Sequence, residues 1–537
     1  MATDDTLTRL TTAAGKRSLT RRQLAQRSAT LGIGGAAWAA AMTASGPQRA
    51  SAQAATPTPR EGDTVEFTYL RPTWGPATFT KDGAYQQQLQ DLGKAIIDVQ
   101  IIPVIDFDTK INTILASGEI PDVTWGVGPH SGIWLEAQEQ GAFQPINEFL
   151  DKYQAVRDAV PSTIWDNLTA EDGNIYFVPN LIWPIVPFFV FYRMDLFEQA
   201  GLTEPTTIEE FVSTLEAVKT ALPDHVAFSA GYEWHMKDIF TALGFSAGSW
   251  EPLPDDPNTL EPWMTKDKEI DARFWMQDLH KRELLDPEYR ITKEPNRSTD
   301  NFKAGKVVIA TENWLAYPDI VSNLRKVVPE AKVGVFNPLG ATAGTRSVYP
   351  VDRGFYVASS FDNADGFFAF LDWTLTAGSD LRRYGVEGKT YTLEGDVHAP
   401  IADVDREADY KYPQLEPLKF LDPFTEKLDW DQMQLNFAAA GVGEDFEYIR
   451  GKYDAYFAND YPDYRNRYVI SPTEASDGSR LYEDYLRGID EGVVINHDLT
   501  KDDWIAQVDE WKEAGGADII AEVNELQTDK AKPNYLA

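Results

Sequence analysis

From residue 63 onward, apolar positions switch between alternating and helical spacing, in the order strand, helix, strand. Val65-Glu66-Phe67-Thr68-Tyr69-Leu70 has strand-like alternation, and Gly83 to Ile96 has helical spacing with a long polar face. Asp98 to Val104 predicts a second strand. Asp108 is a candidate cap for a short helix with Ile111, Ile114 and Leu115 on one face, stopped by Gly118. Ile120 to Trp125 reads as a third strand. This alternation predicts an α/β fold with parallel-rich sheets flanked by helices on both faces. Ligands meet such sheets at the carboxyl ends of their strands. Here those ends carry Arg71-Pro72-Thr73-Trp74 and Trp125-Gly126-Val127-Gly128.

A clear helix opens at Thr206/Thr207, where Glu209 and Glu210 complete a capping-box pattern. Its apolar stripe is Ile208, Phe211, Val212, Leu215 and Val218, and Leu222-Pro223 ends it. A terminal helix starts near Thr500, presents Trp504, Ile505, Val508 and Trp511 on one side, and is expected to stop at Gly515-Gly516. A chain of 537 residues is too long for one core, so two large lobes are expected.

Charge and composition narrow the partners. The formal net charge is −35, and the first 54 residues work against it with seven Lys/Arg and two Asp/Glu. Such a surface repels nucleic acid and anionic membrane and favours solubility. With no cysteine, disulfides, thiolate metal sites, cysteine nucleophiles and a lipid-bearing N-terminal cysteine are all excluded. The six histidines are scattered, without HExxH or similar spacing, so no metal centre and no cofactor are expected.

The N-terminus reads as an address. Lys16, Arg17, Arg21, Arg22 and Arg27 form a basic region, a weakly apolar stretch runs from Ala29 to Ala44, and Ala52-Gln53-Ala54 supplies small residues for cleavage. Arg21-Arg22 within Leu19 to Leu24 resembles a twin-arginine export signal. The apolar stretch is shorter than the ~20 residues a membrane span needs. The expectation is a cleaved twin-arginine-type signal over 1–54 and a linker over 55–62, placing the protein in the periplasm or outside the cell. An uncleaved signal would leave it membrane-associated.

Several later segments resemble the bacterial extracellular solute-binding proteins of family 1, the maltose-binding-like group. Asn174 to Pro179 resembles that family's "GKIYGVP" strand. Tyr192-Arg193-Met194-Asp195-Leu196-Phe197-Glu198-Gln199-Ala200-Gly201-Leu202, with Pro205 to Phe211 after it, is close to "YRKDLFEKAGL…P.TWEEF" and is the most specific match. Phe302 to Ala310 resembles "F..GKAAM", with Asn313-Trp314 standing where relatives have "G-x-W". Phe336 to Gly340 looks like the "PLPG" turn, and Tyr384 to Tyr391 resembles "YGIEGVHY" of a long polysaccharide- or lipoprotein-type branch. The chain departs from relatives that carry an acidic "DxNGNGxxDEIP" calcium loop, since Leu222 to Phe228 occupies that place.

The resemblance implies a two-lobed, type II periplasmic-binding-protein-like fold with a ligand cleft between lobes and two or three crossovers. The expected boundaries are 63–185 plus 300–350 for the first lobe and 186–299 plus 351–537 for the second. It also implies a monomeric binder of a sugar or oligosaccharide that docks on the permease of an ABC importer and closes by a hinge, with no catalytic step. Sugar rings stack their C–H faces on aromatics, and the chain has 15 Trp, 23 Tyr and 27 Phe. Position after strands or at crossovers nominates Trp74, Trp125, Trp183, Trp234 and Trp314, with Tyr232, Arg353 and Tyr391 as weaker additions and Asp122 as structural. Against these stands the ordinary role of large aromatics as core.

Gly244-Phe245-Ser246-Ala247-Gly248 fits the GxSxG elbow of hydrolases, but the helix-like residues before it and the loop-like residues after it are the wrong context. The alternatives are a secreted glycoside hydrolase or lyase, and a binder of a non-sugar solute such as a peptide.

Overall fold

The structure is a computed structural model. It describes residues 57–528 apart from 74–78, 127–131, 171, 182–187, 232–235, 237–238, 240–241, 244–249, 254–255, 257–258, 266, 290, 292–295, 337–350, 395–396, 403–404, 412–429 and 459–490. The export segment at 1–54 and the GxSxG run lie outside the described residues.

Strands β1 (Val65–Thr73), β2 (Ala95–Pro103), β3 (Val123–Gly126), β4 (Phe177–Leu181), β5 (Phe188–Arg193) and β6 (Val226–Ser229) come first. The short pair β7 (Trp250–Pro252) and β8 (Leu260–Pro262) follows, then β9 (Val307–Asn313), β10 (Val333–Phe336), β11 (Val351–Val357), β12 (Tyr391–Glu394) and β13 (Val397–Pro400). Helices of ten residues or more begin with α1 (Ala84–Gly93), α2 (Val104–Ser117), α3 (Ile208–Ala221), α4 (Asp267–Lys281) and α5 (Tyr317–Val327). They continue with α6 (Ala364–Leu375), α7 (Trp430–Ala439), α8 (Phe446–Ala458), α9 (Lys501–Trp511) and α10 (Ala517–Thr528).

Two main sheets result, in the orders β2-β1-β3-β11-β4 and β10-β5-β9-β6. Pairing is parallel between β1 and both β2 and β3, and between β6 and β9. Strands that carry the chain between the sheets pair antiparallel: β11 with β3 and β4, and β5 with β9 and β10. The α/β class holds, with mixed sheets.

The first sheet is covered on both faces. On one, Phe67 meets the Phe367 ring of α6 edge-on at 5.1 Å, and Phe149 stacks on Phe368 at 4.7 Å. On the other, Trp134 lies parallel to Tyr356 at 4.9 Å, with Phe143 and Phe177 at 4.4 and 4.8 Å from the same ring. Burying one such side chain contributes about 1.5–3 kcal/mol, which offsets the ordering of helix and strand.

The second sheet shows the period-two logic directly. Phe189 and Phe191 of β5 point into a core with Trp314, Tyr317, Phe437 and Phe446, while Val190 and Tyr192 point into another with Phe211, Phe228, Met276 and Trp504. Helices α7 and α8 therefore contribute to one face, and α9 and α10 to the other. Trp504 donates its indole N–H to Met264 O at 2.9 Å, and Asn524 exchanges a pair of hydrogen bonds with the Leu260 backbone at 2.7 and 2.8 Å.

These cores correct the lobe boundaries. Residues 300–336 belong to the second sheet and not the first, because β9 pairs with β5 and β6, and β10 with β5. Residues 351–410 belong to the first, because β11 pairs with β3 and β4, and α6 packs in the same core. Among the described residues, the elements change from one sheet to the other between Leu181 and Phe188, between Phe336 and Val351 and between Tyr410 and Trp430.

Local boundaries follow local chemistry. The capped helix is α3: Thr207 Oγ1 accepts the Glu210 N–H at 3.2 Å, and the Glu210 carboxylate takes the Thr206 N–H and hydroxyl at 2.8 and 2.7 Å. Helix α1 stops at Gly93, short of the expected Ile96, because Ala95 to Ile97 pair with β1. A Cβ at Gly93 would also come within 2.9 Å of the Trp373 ring. Helix α2 begins at Val104, ahead of Asp108, and ends as expected at Gly118 with φ 70°. At the far end, Gly515 (φ 127°) kinks the chain instead of ending it, and α10 continues to Thr528.

Candidate functional site

Where the chain crosses between sheets, particular strand ends must face the gap: the carboxyl ends of β4, β9 and β10 and the starts of β5 and β11. The crossings at 181–188 and 336–351 identify this edge without reference to any ligand.

On the first sheet the edge holds Trp125 and Arg353. Trp125 is the third residue of β3, buried, with the Phe107 ring edge-on at 5.1 Å. Arg353 is partly exposed and sets its guanidinium carbon 5.9 Å from the centre of the Trp125 ring. The regular pleat puts it there: Phe355 lies opposite Trp125, and Arg353, two residues earlier on β11, shares that face, just after a register shift opposite β4. Gly354 follows because a Cβ there would meet the Val178 carbonyl and the Phe177 ring. A guanidinium over an indole contributes about 0.5–2 kcal/mol and presents a flat, donor-rich surface.

On the second sheet the edge is the end of β9. Glu312 and Asn313 lie opposite Phe189 and Phe188, the first residues after the crossing. Glu312 Oε1 accepts hydrogen bonds from the Asn313 N–H at 2.9 Å and its side-chain amide at 3.1 Å. Burial pushes the Glu312 carboxyl above its usual range, opposed by these bonds and by Lys303. Beside β9, the last residue of β6, Ser229, donates to Asp286 Oδ2 at 2.9 Å; Asp286 also takes the Glu288 N–H and an Arg297 nitrogen, which makes it a structural carboxylate.

The structure brings together two of the eight residues nominated from sequence, Trp125 and Arg353. Trp314 follows β9 but is 1 % exposed, with Tyr453 at 4.9 Å and Trp430 at 5.8 Å, so its ring serves the second-lobe core. Tyr391 begins β12, buried between His398 (4.8 Å) and Tyr384 (5.9 Å), in a hairpin that α7 packs against at the third crossing. Burial, with Asp380 and Glu387 nearby, pushes its hydroxyl up to about 12. Trp74, Trp183, Tyr232 and Trp234 lie outside the described residues.

Asp122 is structural as expected, taking the Thr68 N–H and hydroxyl at 2.8 and 2.9 Å. Glu312 was missed, and Asn313 was noted only as part of a motif. The signal was available, since both end a strand directly before a crossing partner. Among the described residues no group of three His, Cys, Asp or Glu side chains is placed to hold a metal. Nor is any described helix long and apolar enough to cross a membrane.

The family model for bacterial extracellular solute-binding proteins matches residues 76–380, more than half of the chain. The chain belongs to that family. Among curated relatives, a polygalacturonan/rhamnogalacturonan-binding protein of Bacillus subtilis is 22% identical over 463 residues, covering 83% of this chain and 88% of its own. Among solved structures, alginate-binding protein AlgQ2 without calcium ion superposes with TM-score 0.68 at 19% identity, covering 88% of this chain and 99% of the other. The Streptococcus pneumoniae substrate-binding protein FusA in complex with kestose gives 0.63 at 16% identity, covering 87% and 99%. These likenesses establish the two-lobed fold for this solute-binding protein.

Proposed function

We propose that this solute-binding protein is the exported receptor of an ABC importer. It captures a sugar or oligosaccharide between its lobes and delivers it chemically unchanged. One observation carries the reading: Arg353 and Trp125 form a cation–aromatic pair on one side of the cleft, and the strand end with Glu312 and Asn313 supplies acceptors on the other. Ring stacking and hydroxyl bonding are what a saccharide asks of a site. The relatives named for polysaccharide or fructooligosaccharide binding support the ligand class.

Binding works by differential affinity. Ligand bridging both edges stabilises the closed arrangement more than the open one, and the closed form docks on the permease. Arg21-Arg22 and the Ala52-Gln53-Ala54 site support export through a twin-arginine-type signal, and the surface charge supports a monomer that stays apart from nucleic acid. Isothermal titration against a panel of mono- and oligosaccharides tests the function. Saturable binding with the sugar recovered intact is expected; turnover of the sugar, or a response to peptides alone, overturns it.

A further inference from the structure

The end of β9 holds more acceptor capacity than the protein uses. Glu312 is 9 % exposed, yet both of its hydrogen bonds come from Asn313 and end on Oε1. Among the described residues no hydrogen bond or ion pair within 4.0 Å reaches Oε2. The Asn313 carbonyl oxygen is buried with no partner, and so is the hydroxyl of Thr311, a residue 1 % exposed. Ser298, on the short helix Arg297–Lys303 that packs against β9, is another buried hydroxyl without a partner. Leaving buried polar atoms unpaired costs desolvation with no bond in return, and native interiors do so rarely. Here Thr311 and Asn313 do it on either side of Glu312, beside a crossing between lobes.

A metal is a poor occupant. The only carboxylate of the trio is Glu312, and no group of three metal-ligating side chains exists among the described residues. An anion is poorer still, because a buried carboxylate and an amide carbonyl both repel it. Hydroxyl donors fit. Vicinal hydroxyls of a sugar ring can donate to Glu312 Oε2 and the Asn313 side-chain amide oxygen. The formal charge of −35 disfavours polyanions at longer range as well.

We propose that Glu312 and Asn313 form an acceptor-rich subsite that takes the hydroxyls of a neutral saccharide and discriminates against uronate sugars, a step that rests on sugar binding in the cleft. The burial that raises the Glu312 carboxyl favours its acid form at low pH, so discrimination weakens as the pH falls.

Titration calorimetry of the full mature chain tests this with neutral malto-, fructo-, manno- and galacto-oligosaccharides beside oligogalacturonates and oligoalginates of matched length. The tightest ligand is expected to be neutral. With that ligand, Asn313→Ala weakens binding roughly tenfold, while Glu312→Gln narrows the gap to its uronate counterpart by a similar factor. Asn313→Ser, a smaller change that keeps a hydroxyl at the position, gives a smaller loss and serves if either variant unfolds in a thermal melt. A uronate as the tightest ligand overturns the proposal. So do folded variants whose affinities and selectivity match the parent. A parent protein that binds no saccharide at all overturns the functional reading beneath it.

Discussion

Arg353 and Trp125 show how strand register brings two ordinary residues together. An arginine on a strand and a tryptophan on its neighbour are common; here Phe355 pairs with Trp125, and Arg353, two residues before it on the same face, sets its guanidinium 5.9 Å from the ring. Arg353 is partly exposed, so Arg353→Ala is expected to leave the melting temperature nearly unchanged and to weaken saccharide binding about tenfold. Arg353→Lys restores the charge but not the planar surface, and recovers little of the loss.

A second residue-scale feature lies away from the cleft. His280 Nδ1 and His497 Nε2 are 2.8 Å apart, which joins the segment before α9 to α4. One of the two facing nitrogens must be bare to accept the other's proton. Burial, with His280 and Lys281 beside it, lowers the His497 pKa, against the Val494 carbonyl and Asp498. Because the folded value is depressed, the stability this pair contributes is present above about 6.5, the unfolded value, and is lost as pH falls through the folded value. Thermal melts at pH 7.5 and pH 5 are therefore expected to separate more for the parent than for His497→Asn. Asparagine tolerates the left-handed backbone (φ 60°) and does not titrate.

At the scale of elements, close approach decides register. Strand β11 sits between β3 and β4 in the first sheet, and only a glycine at 354 lets it pass the Val178 carbonyl and the Phe177 ring. Gly354→Ala forces β11 away from β4, which disturbs the Tyr356 cluster on one face and displaces Arg353 next door. Lower stability together with lost saccharide binding is expected, by urea titration and calorimetry. Stability and affinity both equal to the parent's would show that β11 is not held by this contact. Much of this level was legible in the chain. The alternation of β1, the apolar stripe of α3 and its Thr207 cap are consequences of side chains within a few residues of one another. The end of α1 was not legible, because pairing of Ala95 to Ile97 with a strand thirty residues earlier overrides their helical spacing.

For the whole molecule the decisive feature is the number of crossings. The described elements change sheets at three places, an arrangement that ties the lobes together and suits the proposed hinge closure. Small-angle scattering is expected to show a smaller radius of gyration when a saccharide that binds in calorimetry is added. Binding without any such compaction would remove hinge closure from the mechanism. The two lobes each close their own core from distant parts of the chain, as the contact of α6 with β1 and of α9 with β8's neighbour Met264 shows. Among the described residues, α8, α9 and α10 cover the second sheet.

The sequence by itself determined the α/β class, the capped helices, the acidic surface and the family, since each depends on neighbouring residues or on an ordered string of motifs. Only the tertiary structure decided which lobe owns residues 300–410, because strand pairing between β9 and β5, or β11 and β3, is set by partners more than a hundred residues away. It also separated the aromatics. Trp125 lies under Arg353 at the edge between the sheets, while Trp314, equally aromatic and placed just after β9, turns inward to Tyr453 and Trp430. Residue type fixes what a side chain can do; the direction it faces depends on the packing of everything around it.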